Sequence, residues 1–236
     1  MEHLIKWAWR AYRWGIDLIL PPQCVGCGKV GPWLCAACAQ QIPLWEAPQC
    51  PRCGRPWEGE GLCTICREAP LQVAPIRSTF LFQAEIRDVM HALKYRGGQQ
   101  VIRPLTSRMV AAWQRAELDS DLLVPVPLYP RREAKRGYNQ ADLLARALGK
   151  ALDVPVASRL LMRSRATVSQ TKLDREQRRK NVSGAFTYTA DVPLHGIQLT
   201  LVDDVATTGA TLEACADVLL AHGAKRVNAF TLARAP

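Results

Sequence analysis

Apolar and polar positions along this chain follow two periods, and the changes of period mark its elements. From Gln198 to Val202 the residues alternate and are rich in β-formers, so they read as a buried strand. Asp203 and Asp204 sit where that strand should end. Ala206-Thr-Thr-Gly-Ala-Thr211 then reads as a tight turn, and a helix follows with Leu212, Cys215, Val218 and Leu219 on one face. Upstream, Ile76 to Gln83 reads as a strand and Ala84 to Tyr95 as a helix with Ile86, Val89, Met90 and Leu93 apolar. That helix stops at Lys94-Tyr-Arg-Gly-Gly98. Val101 to Leu118 is a second helix, and Leu122 to Leu128 is a buried strand turning at Pro125 and Pro127. Asn139 to Leu152 is a helix, Leu160 to Gln170 leads into a polar basic loop, and Asp174 to Asn181 is a short charged helix. Ala185 to Tyr188 and Arg226 to Leu232 are the remaining strands. Such alternation predicts an α/β fold, a mostly parallel sheet flanked by helices. Ligands bind beyond the carboxyl ends of such strands, where Asp203-Asp204 and Arg131-Arg132 both fall.

The first 70 residues break this pattern. Leu4 to Leu20 reads as an amphipathic helix packing Trp7, Trp14 and Leu18. Arg10, Arg13 and Asp17 interrupt it, so it predicts no membrane span; a membrane-surface helix is the alternative. Four CxxC pairs follow, namely Cys24 and Cys27, Cys35 and Cys38, Cys50 and Cys53, Cys63 and Cys66, using eight of nine cysteines. Loops of seven and nine residues separate the pairs within each half, and Gly28 and Gly54 follow the second cysteine of a pair. This spacing predicts two structural Zn²⁺ sites of four thiolates each, paired sequentially by default, with an interleaved pairing compatible with the same spacing. A disulfide framework would need an oxidising compartment, and no secretory signal is visible, so a cytoplasmic protein is expected. Four consecutive pairs also have no redox logic. Trp33, Trp45 and Trp57 are read as covers for the metal sites, with base stacking as the alternative. Glu68 to Pro75 reads as a linker, which divides the chain into a module over 1–70 and an α/β domain over 71–236.

Charge sharpens the picture because it is local. The net charge is +10, and residues 129–182 alone hold 14 Lys/Arg against 5 Asp/Glu. Nearly the whole excess lies there, which points to a polyanionic partner, pyrophosphate, nucleic acid or both.

The turn after Gln198–Val202 has chemistry of its own. First-turn N–H groups of a helix lack intrahelical partners, and the helix dipole favours an anion there. Gly209 lets backbone approach closely, and Thr207, Thr208 and Thr211 add hydroxyl donors, so the loop suits a phosphate monoester. Asp203 and Asp204 would repel that phosphate but would accept from a vicinal diol. Phosphate plus diol describes a ribose 5-phosphate. The bland alternative is a capped strand-to-helix turn with two solvated aspartates.

The segment Val202 to Thr211 resembles the phosphoribosyl-pyrophosphate (PRPP) signature of type I phosphoribosyltransferases. With the cysteine array, Lys94-Tyr-Arg-Gly97, Val124-Pro-Val-Pro127, Arg136-Gly-Tyr-Asn-Gln140 and Arg165-x-Thr167-x-x-Gln170-x-x-Leu173, the chain is similar to the ComF/GntX family of phosphoribosyltransferase-like proteins. The resemblance implies a type I phosphoribosyltransferase fold behind a double zinc ribbon. It implies that Asp203 and Asp204 take the ribose hydroxyls, and that Ala206, Thr207, Thr208, Gly209, Ala210 and Thr211 wrap the 5-phosphate. Arg131 and Arg132 resemble the pyrophosphate loop, Mg²⁺ would arrive with PRPP, and Ser164 to Lys172 resembles a closing loop. Arg165, Lys172 and Arg175 are then the catalytic candidates, with a solvated basic loop as the alternative. The family's association with natural transformation implies single-stranded DNA and other competence proteins as partners, and Lys135, Arg136, Arg178 and Arg179 as nucleic-acid contacts. One departure is informative: hypoxanthine-type salvage relatives carry an acidic base where this chain has Thr207. Three functions stay in view: a phosphoribosyltransferase with an unidentified acceptor, a DNA-binding competence factor, and an adaptor with a relict loop.

Overall fold

A computed structural model describes residues 21–46, 48–95, 99–165, 177 and 181–236. The helix expected over Leu4 to Leu20 lies outside them, and so does most of the one expected over Asp174 to Asn181. Two short helices belong to the cysteine array, α1 (Ala36–Gln41) and α2 (Thr64–Glu68). Then come β1 (Ile76–Leu81), α3 (Ala84–Tyr95), α4 (Gln99–Arg115), β2 (Leu122–Pro125), α5 (Pro130–Arg136) and α6 (Gln140–Leu152). The chain continues with β3 (Leu161–Arg163), β4 (Phe186–Tyr188), β5 (Gln198–Ala206), α7 (Ala210–Ala221) and β6 (Arg226–Arg234).

The main sheet runs β1-β6-β5-β2, and all three of its pairings are parallel. Its inner strands β5 and β6 are buried almost throughout, as expected of parallel strands covered on both faces. One layer holds α3, α4 and α6. There Ile86, Val89, Met90 and Leu93 of α3 meet Leu105 and Met109 of α4 and Leu144 and Leu148 of α6. Trp113 packs edge-on against Phe230 of β6 at 5.4 Å, an aromatic pair worth about 1 kcal/mol beyond its buried area. The other layer is α7, with Leu212, Cys215, Ala216 and Leu219 turned inward, together with the small antiparallel β3-β4 sheet.

Three expectations change. The signature strand does not end at the acidic pair. It continues to Ala206 because β6 extends to Arg234 and pairs with it, Asp203 opposite Thr231 and Ala206 opposite Arg234. Leu161–Arg163, read as the approach to a loop, is strand β3, held by pairing with β4. Pro130–Arg136, read as part of a basic turn, is a helix with Pro130 in its first turn and a left-handed Gly137 closing it. The segment from Glu68 to Pro75 is itself packed. Leu71 and Val73 are buried, and the N–H groups of Gln72 and Val73 donate to the Glu213 carboxylate at 2.7 and 3.1 Å.

Register builds the site. Pro125 of β2 lies beside Val202 of β5, and the Val126 N–H donates to the Val202 carbonyl at 2.9 Å. The exit of β2 into the basic helix α5 therefore runs next to Asp203 and the turn that follows.

Candidate functional site

Asp204 is buried, and three groups converge on it. The Lys94 ammonium from the end of α3 lies 2.8 Å from Oδ2. The Gln140 side-chain amide at the start of α6 donates to the same oxygen at 3.3 Å, and the Val205 N–H donates to Oδ1 at 2.8 Å. Arg136 in turn donates to the Gln140 carbonyl oxygen, so the basic helix is wired to the acidic pair through one amide. Asn139 sets this geometry: its Oδ1 caps α6 by accepting from Ala141 N–H at 3.0 Å, while its Nδ2 donates to the Val126 carbonyl at 3.0 Å. The Tyr138 hydroxyl donates to the Leu93 carbonyl at 2.5 Å, tying the same turn to the end of α3. Thus Lys94 and Gln140, drawn from two stretches conspicuous in the sequence, meet at one carboxylate, and Arg136 reaches it through Gln140.

Asp203 is half-buried beside it. Burial raises its carboxyl well above the usual carboxylate range, and the Asp204 charge raises it further. The Asp204 N–H, 2.8 Å from Oδ1, and Lys94 pull the other way. Beneath it the Cys215 thiol of α7 is buried and raised, chiefly by burial and then by Asp203.

The turn itself has the geometry of an anion cradle. Gly209 is the N-cap of α7 with φ 85°, left-handed backbone that favours glycine. A side chain there would also press on Leu71 Cδ1 at 3.1 Å. The Ala210 N–H is 3.3 Å from Thr208 Oγ1, and Thr207, Thr208 and Thr211 are half-buried around the same turn. The candidates Ala206 to Thr211 therefore come together.

Among the cationic candidates, Arg131, Arg132 and Lys135 are exposed on α5, and Arg132 is close enough for its charge to act on Arg163. Arg165 donates to the Asn181 and Ser183 carbonyls at 3.2 and 2.7 Å, which holds it against the start of the segment leading into β4. Lys172, Arg175, Arg178 and Arg179 lie outside the described residues. Sequence reasoning missed Arg163. It is buried in β3 with its guanidinium 5.3 Å from the centre of the Phe186 ring. Burial and then the Arg132 charge lower its pKa, opposed by Cys215 and Asp203. The alternation of Leu161-Met162-Arg163 turns Arg163 to the same inner side as Leu161, but a run of three is too short to have signalled this in the sequence. A cleft of about 590 Å³ opens between α5 and β3, lined by Pro127, Leu128, Glu133, Asp142, Arg159 and Arg163 among others.

The cysteines gather into two groups, Cys24-Cys27-Cys35-Cys38 and Cys50-Cys53-Cys63-Cys66, each with its sulfurs within 4.8 Å of one another. Pairing is therefore sequential. Cys53 and Cys63 sulfurs are 3.8 Å apart, the edge of a tetrahedron with Zn–S near ~2.3 Å. Both clusters are thus consistent with structural zinc ions. They differ in exposure: Cys27 is open to solvent, whereas all four cysteines of the second cluster are buried. Burial raises the Cys24 thiol, but backbone N–H groups of Cys35, Cys27 and Gly26 outweigh it and bring it down to about 6. Cys53 also falls to about 6, where N–H bonding from Arg55 and the Arg234 charge overcome burial. The tryptophans sit half-buried on the ribbon: Trp45 donates to the Gly54 carbonyl at 3.1 Å, and Arg67 lies 5.8 Å over the Trp57 ring.

Residues 15–67 match the double zinc ribbon domain family. The chain is 30% identical over 207 residues to the DNA utilization protein YhgH of Salmonella typhimurium, covering 85% of this chain and 90% of that one. Against Competence protein ComFC of Bacillus subtilis it is 30% identical over 209 residues, covering 85% and 84%. Against Competence protein F of Haemophilus influenzae it is 30% identical over 213 residues, covering 86% and 90%. Among solved structures, the glutamine PRPP amidotransferase of B. subtilis aligns with 65% of this chain and 30% of that chain at 18% identity and a TM-score of 0.39. Adenine phosphoribosyltransferase of Leishmania tarentolae aligns with 63% and 74% at 13% identity and a TM-score of 0.36. Both structural likenesses are remote. No described helix is long and apolar enough to cross a membrane.

Proposed function

The chain belongs to the ComF/YhgH family of competence and DNA-utilization proteins, and we propose that it binds PRPP with Mg²⁺ at the β5–α7 turn and acts in the uptake or handling of single-stranded DNA. The observation that supports the PRPP reading best is the placement of an acidic pair directly before a glycine-capped helix N-terminus, beside the exit of a neighbouring parallel strand. The N–H groups and hydroxyls of Thr207 to Thr211 would hold the 5-phosphate. Asp203 would accept from the ribose hydroxyls, with Asp204 held in place by Lys94 and Gln140. Arg131, Arg132 and Arg163 stand on the side where a 1-pyrophosphate would lie. Mg²⁺ fits as an ion carried mainly by PRPP oxygens, because Asp204 is already engaged and Asp203 alone is a poor cage. A cytoplasmic location accompanies this reading, since eight zinc-binding thiols need a reducing compartment.

The DNA reading draws on the names of the relatives and on the exposed Arg131, Arg132 and Lys135 of α5, within the stretch that holds most of the excess positive charge. Phosphate contacts of this kind give sequence-independent, salt-sensitive affinity. Anisotropy of a labelled single-stranded oligonucleotide across a salt series, with and without PRPP, tests it. Binding that steepens at low salt is expected; absent or salt-insensitive binding would remove the DNA role.

A second reading is an active phosphoribosyltransferase that releases pyrophosphate to an unidentified acceptor. The cleft between α5 and β3 favours it, because it opens beside Arg163 and is large enough for a small acceptor. Arg165, Lys172 and Arg175 would bring cations to the departing pyrophosphate. Pyrophosphate release across a panel of bases and amines separates the two readings.

A further inference from the structure

The signature turn and the second cysteine cluster share one side chain. Arg234, at the end of β6, is the largest of the fully buried side chains, 1% exposed. Its Nε donates to the Cys53 carbonyl at 2.9 Å. Its Nη1 donates to the Ala206 carbonyl at 2.6 Å, to the Thr207 carbonyl, and to Ala235 at 3.1 Å. One rigid fork therefore spans from the backbone of a CxxC turn to the first two carbonyls of the phosphate turn.

Further contacts join each of these parts to the segment between them, residues 71–76. Gly209 lies under Leu71 and Ile76, so that an added methyl would sit 3.1 and 3.4 Å from their ends. Glu213, in the first turn of α7, accepts from the Gln72 and Val73 N–H groups. The Ile76 N–H donates to the Arg52 carbonyl at 2.8 Å, and Gly54 approaches the Ile76 carbonyl so closely that a Cβ would lie 2.4 Å from it. Among the described residues the first cluster packs instead on α3 and α4, in the opposite layer.

We propose that Arg234 is a positioning residue through which zinc in the Cys50-Cys53-Cys63-Cys66 cluster holds the Ala206–Thr211 turn in its anion-binding shape, so that filling this cluster, and not the first, sets affinity for phosphate at the turn. A metal-bound tetrathiolate fixes the Cys53 backbone and gives the buried guanidinium an anionic neighbour. Without it the Cys53 carbonyl is free to move, and the fork loses its anchor. The link is thermodynamically reciprocal: an anion seated in the turn strengthens zinc retention in the second cluster. The affinity part rests on the PRPP reading above; the coupling of turn to cluster does not.

Hydrogen exchange of the 206–211 amides, followed as a chelator withdraws zinc from the full chain, tests the coupling without any ligand. Exchange there should speed up about tenfold as the second zinc leaves, while amides of β2 and α6 hold steady. Cys27→Ser, which breaks only the first cluster, should leave 206–211 unchanged. Arg234→Lys, which keeps the charge and loses the fork, should speed exchange at 206–211 with both zinc ions retained. Unchanged exchange at 206–211 after zinc loss, or a uniform rise across the whole domain, would overturn the coupling. Calorimetry with Mg²⁺ and PRPP then tests the consequence: about tenfold weaker binding in Arg234→Lys is expected. No PRPP binding by the intact protein would refute the ligand assignment, whereas normal binding by Arg234→Lys would refute the positioning role.

Discussion

At the scale of single residues the site holds a conflict that stability and binding should both report. Asp203 takes up its proton more tightly folded than unfolded, because burial and Asp204 disfavour its charge. Ionising it therefore costs folding stability, a cost that begins above the unfolded carboxylate value near ~3.9 and is complete above the raised folded value. Asp203→Asn removes that cost, so at neutral pH it should stabilise the free protein by about 1 kcal/mol and raise its melting temperature. The same change should abolish PRPP binding, and wild-type binding should weaken as pH falls through the raised value, because a protonated carboxyl loses an acceptor. Thermal melts and calorimetry across pH read both effects. Gly209→Ala has a different physical basis. It places a Cβ on left-handed backbone and 3.1 Å from Leu71, and should cost about 1–2 kcal/mol in urea denaturation. Much of this arrangement was legible in the residues: the acidic pair lies near the end of β5, and the three threonines and Gly209 gather in the turn and helix start that follow. What was illegible was which side chains would reach it. Lys94, Gln140 and Arg163 come from three separate elements, and no local pattern in the chain states where α3, α6 and β3 will end relative to β5.

At the scale of elements, periodicity served where packing agreed with it. Helices α3 and α6 and strands β1 and β6 begin at the expected positions or within one residue of them, because their apolar faces meet the core and Asn139 caps α6. Strand β5 outran its expected end because the pairing with β6, a tertiary fact, continues past the charged residues. Strand β3 was hidden because three residues are too few to show a period. The packing of Leu71 and Val73 beside the second cluster was not legible, because two apolar residues between prolines show no period. The two cysteine clusters, similar in sequence, are unequal in burial. Metal-free protein should therefore be alkylated first at Cys27, with Cys50, Cys53, Cys63 and Cys66 protected until the domain opens. Mass spectrometry after brief iodoacetamide exposure measures the order; equal labelling of both clusters would contradict the burial difference. Removal of zinc should loosen the first half of the ribbon before the second, whose four cysteines are buried in the main core.

At the scale of the whole molecule, charge and topology place the two candidate anion sites side by side. The parallel sheet brings the β5 turn beside the exit of β2, and α5 carries Arg131, Arg132 and Lys135 away from that point on an exposed surface. If DNA follows this surface, Arg131→Ala with Lys135→Ala should lower single-stranded DNA affinity uniformly across sequences. It should also reduce the slope of log affinity against log salt by about 1–2. An unchanged slope would move the DNA contact elsewhere in the basic stretch. One titration decides the ribose-phosphate site: calorimetry of PRPP with Mg²⁺ into zinc-loaded protein, compared with Asp203→Asn combined with Asp204→Asn. Saturable one-to-one binding by the wild type, lost in the folded double variant, is the expected result. Absence of binding by the wild type, or binding that persists in the double variant, would contradict the assignment of this turn to PRPP.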